Sequence, residues 1–570
     1  MLRFLYEDPW ERLRKLRKLV PNIPFQMLLR STNGVAYSSL PDNALFHFVK
    51  LAKDTGVDIF RVFDSLNDLE NLKIGIDAVH AAGGLVEGAV MYTGDMLNPR
   101  SKYDLKYYMG VVDCLVEYGS HVIAVKSMSG VMKPAAGRAL VRAIRTKYPE
   151  MPIHMHTHDT NGAGVATMLA CVEEGADIVD TAVDSLSGAT SQPAASAMVV
   201  ALENSGFDSR LSLHQLQVID AYWAQLRLMY AGFDADLRSP DPTVYRHEIP
   251  GGQYSNLIFQ ARQNGLGNQW AETLKAYEDA NHLLGDIIKA TPTSKAVGDL
   301  AQFMVDRKLS AVDIQQRAST LDFPKSVVEY FEGLMGRPFD GFPEPLRTHV
   351  LRGQRDVVKK RPGLTMDSVD FDRVRRHIAA MFPGSPVTEY DVASYVMFPQ
   401  VYMEFRQARR NFGDLTALRT PDFLSPPEIG QEVRLPKGGD RDVIAEMVAI
   451  RPLESATGMR DVLFRLNGEF CSVAVRDVKA TPRRKLPKAD VHAEGEVAAP
   501  MAGAVVRVIA QDGQTVKVGQ TLLTVGAMKM EVNVSSPVSG RIDTIAAVAG
   551  DAVDKGDLLV RIAPYAVNGR

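Results

Sequence analysis

The chain contains few cysteines and no long apolar run. Among its 570 residues only Cys114, Cys171 and Cys471 are cysteines, and their positions fit no CxxC spacing. This pattern predicts reduced thiols and a cytoplasmic location rather than a disulfide framework. Because no apolar run approaches the roughly 18–20 residues that a membrane-spanning helix needs, we expect no membrane partner.

The chain also has no excess of charge of either sign. It carries 65 basic and 68 acidic residues, for a net charge of −3. This balance gives no electrostatic reason to expect nucleic acid as a partner. The N-terminal stretch MLRFLYEDPWERLRKLRK contains acidic residues and no apolar centre, so we do not expect a signal peptide. A hydrophobic content of 46% and this length predict a globular protein of several domains.

The C-terminal part contains an internal repeat. The segment VAAPMAGAVVRVIAQDGQTVKVGQTLLTV from Val497 aligns without a gap with VSSPVSGRIDTIAAVAGDAVDKGDLLVRI from Val534, at a shift of 37 residues. Each segment alternates short β-branched runs with glycine-containing turns, which is typical of small antiparallel strands. Two matching halves of four short strands each predict a flattened β-sandwich with approximate twofold symmetry.

Lys529 lies at the joint between the two halves, in the stretch VGAMKMEV. A tight turn there would place the lysine at the tip of a hairpin, and the flanking methionines suit an apolar recognition surface. The module resembles biotinyl domains, whose AMKM signature carries biotin on the lysine; lipoyl domains share the fold but lack the methionines. The resemblance implies that a biotin protein ligase attaches biotin covalently to Lys529, the alternative being an ordinary surface lysine.

The first third of the chain alternates short apolar runs with longer amphipathic stretches. This alternation predicts parallel βαβ units, in an open doubly wound sheet or a TIM barrel. No GxGxxG motif follows a run, so a dinucleotide-binding fold has no support. Nearly every run ends in a polar residue, as strands do around the active site of a (β/α)8 barrel, and this favours the barrel. The runs are 24–30, 57–66, 85–95, 121–130, 152–160 and 176–188, and the polar residues are Arg30, Asp64, Tyr92, Lys126, His158 and Ser185.

The stretch HMHTHD (154–159) places three histidines at alternate positions. Residues two apart on a strand share a face, so His154, His156 and His158 should point the same way. The last two lie nearest the strand end and are candidates for a metal pair, the alternative being a histidine stack that holds the barrel interior by hydrogen bonds. Lys126 ends the preceding strand and should project beside them. It can be a metal ligand only if its charge is removed, as in a carbamate.

These features together resemble the carboxyltransferase domain of the pyruvate carboxylases, over nearly the whole chain. The resemblance implies transfer of a carboxyl group from carboxybiotin to pyruvate, which gives oxaloacetate for anaplerosis and gluconeogenesis. It also implies a divalent metal, zinc, manganese or cobalt, bound by carboxylated Lys126 with His156 and His158. The motifs that carry the resemblance are PFQMLLR, DIFRVFDSLN, KYDLKYYMG, HTHDTNGAGVA, SLSGATSQP, EIPGGQYSNL, GDIIKATPTSK, GDLAQFMV, GFPEP and AMKM.

The resemblance assigns further roles to five residues. Arg30 would pair with the carboxylate of pyruvate, which suits a bidentate guanidinium. Thr291 of the TPTSK motif would be the proton shuttle. Tyr37, Ser294 and Lys295 would line the biotin pocket.

Some motifs depart from the family pattern. The family's GANAVGY reads STNGVAY at 31–37, and Ser127 replaces an acidic residue beside the metal lysine. The first two barrel strands, with the RDAHQ aspartate that is a further metal ligand, are absent, as is the biotin carboxylase domain that binds ATP. We therefore expect a piece of a larger protein or a truncated product that does not turn over pyruvate alone and needs a biotin carboxylase domain or subunit as partner.

The expected architecture is α/β: a (β/α)8 TIM-type barrel lacking its first two strands, an α-helical funnel, a small β-rich linking domain and a C-terminal biotinyl β-sandwich. We also expect a homo-oligomer. The expected divisions are 1–240 for the partial barrel, 241–425 for the funnel, 426–480 for an allosteric or tetramerisation-like region, 481–495 for a linker, and 496–566 for the biotinyl domain.

Two other functions remain open at this point. The α subunit of a sodium-pumping oxaloacetate decarboxylase, or a transcarboxylase subunit, shares the barrel and the biotinyl domain. The long segment before the biotinyl domain and the motifs FPEP and FRLNG favour the pyruvate carboxylases over these. The second alternative is a non-catalytic biotin carrier, in which the incomplete barrel only binds partners.

Overall fold

The fold is given by a computed structural model, which divides the chain into two compact units. The first comprises Met1–Ser319 and Val327–Gly413, and the second comprises Thr320–Ser326 and Asp414–Arg570. No helix within the described part of the chain is long and apolar enough to span a membrane. The structure describes residues 1–237, 239–263, 270–353, 358, 360–425, 427–435, 442–454, 458–477, 486–490, 493–527 and 530–565.

A six-stranded parallel sheet forms the centre of the first unit. Its strands are β1 Gln26–Leu29, β2 Ile59–Val62, β3 Leu85–Tyr92, β4 Val122–Ser127, β5 Ile153–Thr157 and β6 Ile178–Val179. Each strand pairs in parallel with the next one in sequence, so β1 and β6 are the two edges. This half-barrel confirms the predicted α/β fold class with six barrel strands. Each strand lies inside its predicted apolar run, and the sixth run contains only two strand residues.

Helices precede, connect and follow these strands. They are α1 Pro9–Leu19, α2 Asp42–Thr55, α3 Leu69–Ala81, α4 Leu105–Glu117, α5 Pro134–Lys147, α6 Gly164–Glu173, α7 Ala195–Leu202 and α8 Leu213–Met229. Side-chain caps start several of them: Asp68 accepts from the N–H of Glu70, and Asp104 from that of Tyr107. The apolar faces of α2 to α6 and the strands bury one continuous core. The carboxyl ends of the strands, which carry the polar residues, therefore rest on a packed interior.

The chain between residues 241 and 425 is mainly helical, as its periodicity predicts. The helices are α9 Val244–His247, α10 Gly251–Gln263, α11 Trp270–Leu283, α12 Thr293–Arg307, α13 Ala311–Arg317, α14 Lys325–Glu332, α15 Leu346–Leu351, α16 Phe371–Met381, α17 Glu389–Met397, α18 Pro399–Phe412 and α19 Thr420–Leu424. The apolar spacing of AETLKAYEDANHLLGDIIKA (271–290) predicts a single helix, but the helix ends early, at Leu283. Gly285 and Asp286 have left-handed φ angles of +92° and +53°, which stop the helix before the motif that contains Thr291.

The second unit contains a four-stranded antiparallel sheet in the order β10–β9–β8–β7. Its strands are β7 Glu432–Leu435, β8 Val443–Ile450, β9 Met459–Leu466 and β10 Glu469–Arg476. These strands confirm the β character predicted for this part of the sequence. Most of the predicted linker over 481–495 lies outside the described residues.

Two further four-stranded antiparallel sheets form the C-terminal sandwich. Its strands are β11 Glu496–Ala498, β12 Gly503–Val508, β13 Thr515–Val516, β14 Thr521–Ala527, β15 Met530–Ser535, β16 Gly540–Ile545, β17 Ala552–Val553 and β18 Leu558–Pro564. The bounds of β12, β13 and β14 recur at a shift of 37 residues in β16, β17 and β18, so the sequence repeat is also a structural repeat. The sheets run β11–β18–β16–β13 and β15–β14–β12–β17, and they enclose a separate apolar core.

Candidate active site

Neighbouring strands bring Lys126 beside His156. The two residues are Cα partners in the register of β4 and β5. Lys126 is 1% exposed, and its Nζ lies 5.3 Å from the centroid of the Phe63 ring. Burial, followed by the nearby Arg61 guanidinium, lowers the pKa of Lys126 to about 7. An amine that loses its proton this readily has a lone pair available for reaction with carbon dioxide.

His156 and His158 present their rings to one another at the end of β5. The ring centroids are 5.4 Å apart and the rings are inclined by 78°. The Nδ1 of His156 lies 2.7 Å from a carboxylate oxygen of Asp180, and the Nδ1 of His158 lies 2.6 Å from the carbonyl oxygen of Thr190. Since both acceptors require a proton on Nδ1, each Nε2 retains a lone pair. Burial is the largest cause that lowers the pKa of His156 to about 3 and that of His158 to about 4, so both rings are neutral.

Asp180, itself partly exposed, is the centre of a charged network whose other members are buried behind these rings. It is the first residue after β6, and its two oxygens lie 2.6 Å from Arg61 Nη1 and 2.8 Å from His154 Nε2. Arg61 and His154 both contact Glu87 as well. Burial alone would raise the pKa of Asp180, but hydrogen bonds from the two histidines and the Arg61 guanidinium hold it well below its usual range. The carboxylate therefore stays ionised and fixes the His156 ring.

Sequence reasoning missed this network. It took Ser185 as the polar end of the sixth strand, but Ser185 lies in a short turn, five residues beyond Asp180. His154 also does not join the other two histidines as a third ligand candidate, because both its ring nitrogens contact carboxylates. One sequence signal could have indicated the network. Each of the stretches IFRV, LVEG and ADIVD has a charged residue inside or just after an apolar run, namely Arg61, Glu87 and Asp180.

The residues at the carboxyl ends of β4 and β5 fit a divalent metal. No group of three His, Cys, Asp or Glu side chains with the spacing of a metal site occurs within the part of the chain that the structure describes. The predicted ligand set contains only two histidines, and its third member is a lysine whose carbamate would supply the anionic oxygen. Two neutral imidazoles with available lone pairs and one easily deprotonated lysine provide the donors for such a set.

Arg30 lies directly after β1, the edge strand at the other side of the sheet from β6. Its Nη1 donates to the carbonyls of Val35 (2.8 Å) and Ala36 (3.1 Å), and its guanidinium lies 5.3 Å from the centroid of the Tyr37 ring. No carboxylate among the described residues lies within ion-pair distance of Arg30, and burial lowers its pKa. Arg30 is therefore a partly desolvated cation available to an anion, while Tyr37 is 55% exposed.

Two buried polar atoms follow Arg30 in the turn that departs from the family motif. Thr32 Oγ1 and Asn33 Nδ2 have no hydrogen-bond partner among the described residues. A buried polar group without a partner is costly, so such atoms are common where a ligand or water completes the site.

Thr291 lies in the non-helical segment between α11 and α12 and is half-buried. Ser294 is buried in the first turn of α12, where its N–H donates to the carbonyl of Ala290. The ammonium of Lys295 lies 2.6 Å from a carboxylate oxygen of Asp299, one turn further along the same helix. Lys295 thus already has an intrahelical partner.

The first turn of α10 contacts both parts of the site. The N–H of Gly251 donates to the carbonyl of Met128 (3.0 Å), and a Cβ at Gly251 would lie only 2.4 Å from His158 Nδ1. Two residues later, Gln253 Nε2 donates to the carbonyl of Ser294 (2.7 Å). The histidine pair and the TPTSK motif therefore pack against the same turn. Lys529 lies outside the described residues.

Three family models match successive parts of the chain. A model described as HMGL-like matches residues 41–222, one described as a conserved carboxylase domain matches 244–446, and one described as a biotin-requiring enzyme matches 495–562. The last match agrees with the biotinyl module predicted from the repeat.

Known pyruvate carboxylases resemble the chain in sequence and in structure. The pyruvate carboxylase of Aspergillus terreus is 55% identical over 98% of this chain and 47% of its own length. The carboxyl transferase domain of Rhizobium etli pyruvate carboxylase, solved with pyruvate, is 42% identical with a TM-score of 0.77, over 84% of this chain and 79% of that one. The complete multifunctional R. etli enzyme gives a TM-score of 0.76 at 40% identity, over 98% and 51%. The chain thus spans about half the length of the curated relatives it matches.

Proposed function

The chain belongs to the pyruvate carboxylase family, and on that premise we propose that it supplies the residues that catalyse the transfer of a carboxyl group from carboxybiotin to pyruvate, giving oxaloacetate. One observation carries the proposal. Lys126, His156 and His158 form a group at the carboxyl ends of β4 and β5, and this group packs against the same turn as the Thr291 motif. The relatives reported above are all pyruvate carboxylases, which favours this activity over that of an oxaloacetate decarboxylase or transcarboxylase subunit.

Lys126 prepares the metal site by reacting with carbon dioxide. Its neutral Nζ attacks the carbon, an N–C bond forms, and a proton leaves to solvent, so that an anionic carbamate replaces the ammonium. Carbamylated Lys126, His156 and His158 would hold a divalent metal, zinc, manganese or cobalt, which would supply Lewis acidity toward the keto oxygen of pyruvate. Asp180 holds His156 in the tautomer that presents Nε2.

Arg30 and Thr291 act on the substrate itself. The Arg30 guanidinium binds the carboxylate of pyruvate and so orients the methyl group. Thr291 Oγ1 accepts a proton from that methyl group and passes its own proton to the biotin that remains after carbon dioxide has left it, and the pyruvate enolate attacks that carbon dioxide to form the new C–C bond of oxaloacetate. Tyr37, Ser294 and Lys295 line that pocket in this proposal. The low exposure of Lys126 and the histidines keeps water away from the reacting carbon.

The remaining partners follow from the same proposal. A biotin protein ligase attaches biotin to Lys529, and ATP-dependent carboxylation of that biotin takes place on a biotin carboxylase domain or subunit. We also propose the domain division 1–240, 241–425, 426–480, 481–495 and 496–566, a cytoplasmic location and a homo-oligomer. The product, oxaloacetate, serves anaplerosis and gluconeogenesis.

The test compares the chain alone with a joined protein. In the joined protein, the part of the A. terreus relative that precedes the matched region is fused to the N-terminus of this chain. With metal, carboxybiotin and pyruvate, we expect oxaloacetate from the joined protein and none from the chain alone, measured by coupling to malate dehydrogenase. Thr291→Ala should abolish the product in the joined protein. The proposal is wrong if the joined protein retains its metal yet forms no oxaloacetate.

A further inference from the structure

The segment 284–292, which carries Thr291, is held in place by side chains from other elements. It has no regular structure between α11 and α12. At its N-terminal end, Lys102 Nζ and the hydroxyl of Tyr103 donate to two of its carbonyl oxygens, at 2.7 and 3.0 Å. The position of Thr291 therefore depends on contacts that the segment makes rather than on helix geometry.

A buried ion pair anchors the other end of the segment. Lys289, two residues before Thr291, places its Nζ 2.9 Å from a carboxylate oxygen of Glu248, and its side chain is only 2% exposed. The same Glu248 oxygen accepts from Thr93 Oγ1 (2.7 Å) and from the N–H of Gly94 (3.3 Å), both directly after β3. The pair thus joins the Thr291 segment to the end of a barrel strand.

Glu248 also reaches the strand that carries Lys126. It adopts a left-handed conformation, with φ +50°, between α9 and α10, and its carbonyl oxygen accepts from Ser129 Oγ at 2.5 Å. Ser129 lies two residues beyond the end of β4. A single residue therefore links the ends of β3 and β4 to the segment of Thr291, and it begins the EIPGGQ motif, whose Gly251 and Gln253 contact the two parts of the site.

The burial of this pair indicates a role beyond stability. Burial raises the pKa of the Glu248 carboxyl, but the Lys289 ammonium and the hydrogen bonds from Thr93 and Gly94 outweigh it and lower the pKa, so the pair is ionised. Buried ion pairs can often be replaced by apolar residues with little loss of stability. This pair joins the Thr291 segment to the ends of β3 and β4 through contacts of fixed direction.

We propose that the Glu248–Lys289 ion pair is a positioning device that sets Thr291 against the ends of β3 and β4 for proton transfer from pyruvate. The inference rests on the proposed carboxyl transfer and concerns one step of it. Arg30, which would bind pyruvate, lies after β1, and β1 makes none of the contacts described for the pair. The pair therefore governs the rate of proton transfer and leaves the affinity for pyruvate unchanged.

Two substitutions at Lys289 test the inference in the joined protein. Lys289→Met removes the ammonium and retains an unbranched chain, whereas Lys289→Arg retains the positive charge. Because a small misplacement of a reacting group slows a step by about 10²-fold, Lys289→Met should lower kcat by about that factor. The KM for pyruvate should stay within about threefold, since binding is untouched. The deuterium isotope effect on kcat with methyl-deuterated pyruvate should rise, and Lys289→Arg should restore most of kcat.

A second measurement does not depend on turnover. In the full chain, Lys289→Met should speed amide hydrogen exchange over 284–292 by about tenfold, because the segment loses its charged anchor. Arg406→Met is the matched control. Arg406 pairs with Asp391 at 3.0 Å between α17 and α18, where both side chains are largely buried. This control should leave the isotope effect and the exchange of 284–292 unchanged.

The outcomes separate the inference from the proposed function. If the joined protein is active but Lys289→Met leaves kcat and the isotope effect unchanged, the inference is overturned, whatever the exchange rates are. If the joined protein is inactive, the proposed function fails and the inferred role in proton transfer fails with it, and hydrogen exchange then tests only whether the pair anchors the segment. Unchanged exchange over 284–292 overturns the anchoring contact, and faster exchange confined to that segment of the Lys289 variant supports it.

Discussion

At the scale of single residues, Asp180 is the side chain on which the geometry of the proposed metal site most depends. It holds His156 Nδ1 at 2.7 Å while it also contacts His154 and Arg61. In Asp180→Asn the amide can donate where a proton acceptor is needed, so the ring loses its fixed tautomer. We expect the affinity for a divalent metal to fall by about 10–100-fold, measured by competition with a chelator.

The control for this change lies at the other end of β6. Asp177 precedes the strand, and it accepts from Arg145 Nη2 at 2.5 Å and from the N–H of Ile153 at 2.8 Å. Asp177→Asn should lower the stability but keep the metal affinity. Equal metal affinities in the Asp180 and Asp177 variants would mean that Asp180 does not orient a ligand.

The sequence predicted some of these residues and not others, for a physical reason. The pairing of Lys126 with His156 follows from the period of two along a strand and from consecutive parallel pairing, both of which are local properties. Arg61 and Glu87 lie on β2 and β3, and Asp180 directly follows β6, so their contacts depend on the register across the sheet. A charged residue inside an apolar run indicates that such a partner exists but does not identify it.

At the scale of the element, the start of α10 packs closely against His158. A Cβ added at Gly251 would meet His158 Nδ1 at 2.4 Å and the Thr190 carbonyl at 2.6 Å, whereas one at Gly252 would meet nothing within 4 Å. Gly251→Ala should therefore displace His158, weaken metal binding, and destabilise the fold by about 1–3 kcal/mol. Metal content and the thermal unfolding midpoint measure the two effects.

The adjacent glycine provides the control. Gly252→Ala gives a helix a better helix former without a clash, so stability should stay within about 1 kcal/mol of the parent or rise, and metal content should not change. A Gly251→Ala protein with the metal content and midpoint of the Gly252→Ala protein would show that α10 does not support His158.

Elements were predictable where the sequence signal was local and periodic. The repeat of 37 residues predicted the sandwich, because glycine turns and strand lengths recur together in β12 to β14 and β16 to β18. The end of α11 was not predictable in the same way. The apolar residues of GDIIKA continue the helical pattern, but their side chains are buried by the surrounding elements after a left-handed turn at Gly285. Tertiary burial, rather than periodicity, fixes the segment that carries Thr291.

At the scale of the whole molecule, the proposal separates a fixed site from a carrier. The fixed site, Lys126, His156, His158, Arg30 and Thr291, lies entirely in the first unit, and the biotinyl sandwich lies in the second. The length and composition of the chain predicted a globular protein of several domains. The boundaries between the proposed domains stay a prediction, because the linker over 481–495 has no periodic signal and is largely outside the described residues.

This separation predicts opposite effects of Lys529→Arg in two assays of oxaloacetate formation, one driven by ATP and one by free carboxybiotin. The variant should lose all binding to streptavidin, because arginine cannot be biotinylated, and the joined protein should lose ATP-dependent oxaloacetate formation. Carboxyl transfer from free carboxybiotin should persist, since the residues of the fixed site are unchanged. A flexible tether holds biotin at an effective concentration of about millimolar. At lower concentrations of free carboxybiotin, transfer would therefore be slower than with tethered biotin. Lys517→Arg, an exposed lysine of the same sandwich, should behave as the parent in both assays. Streptavidin binding that survives in Lys529→Arg would place the biotin on another lysine, and loss of transfer from free carboxybiotin would place Lys529 within the fixed site itself.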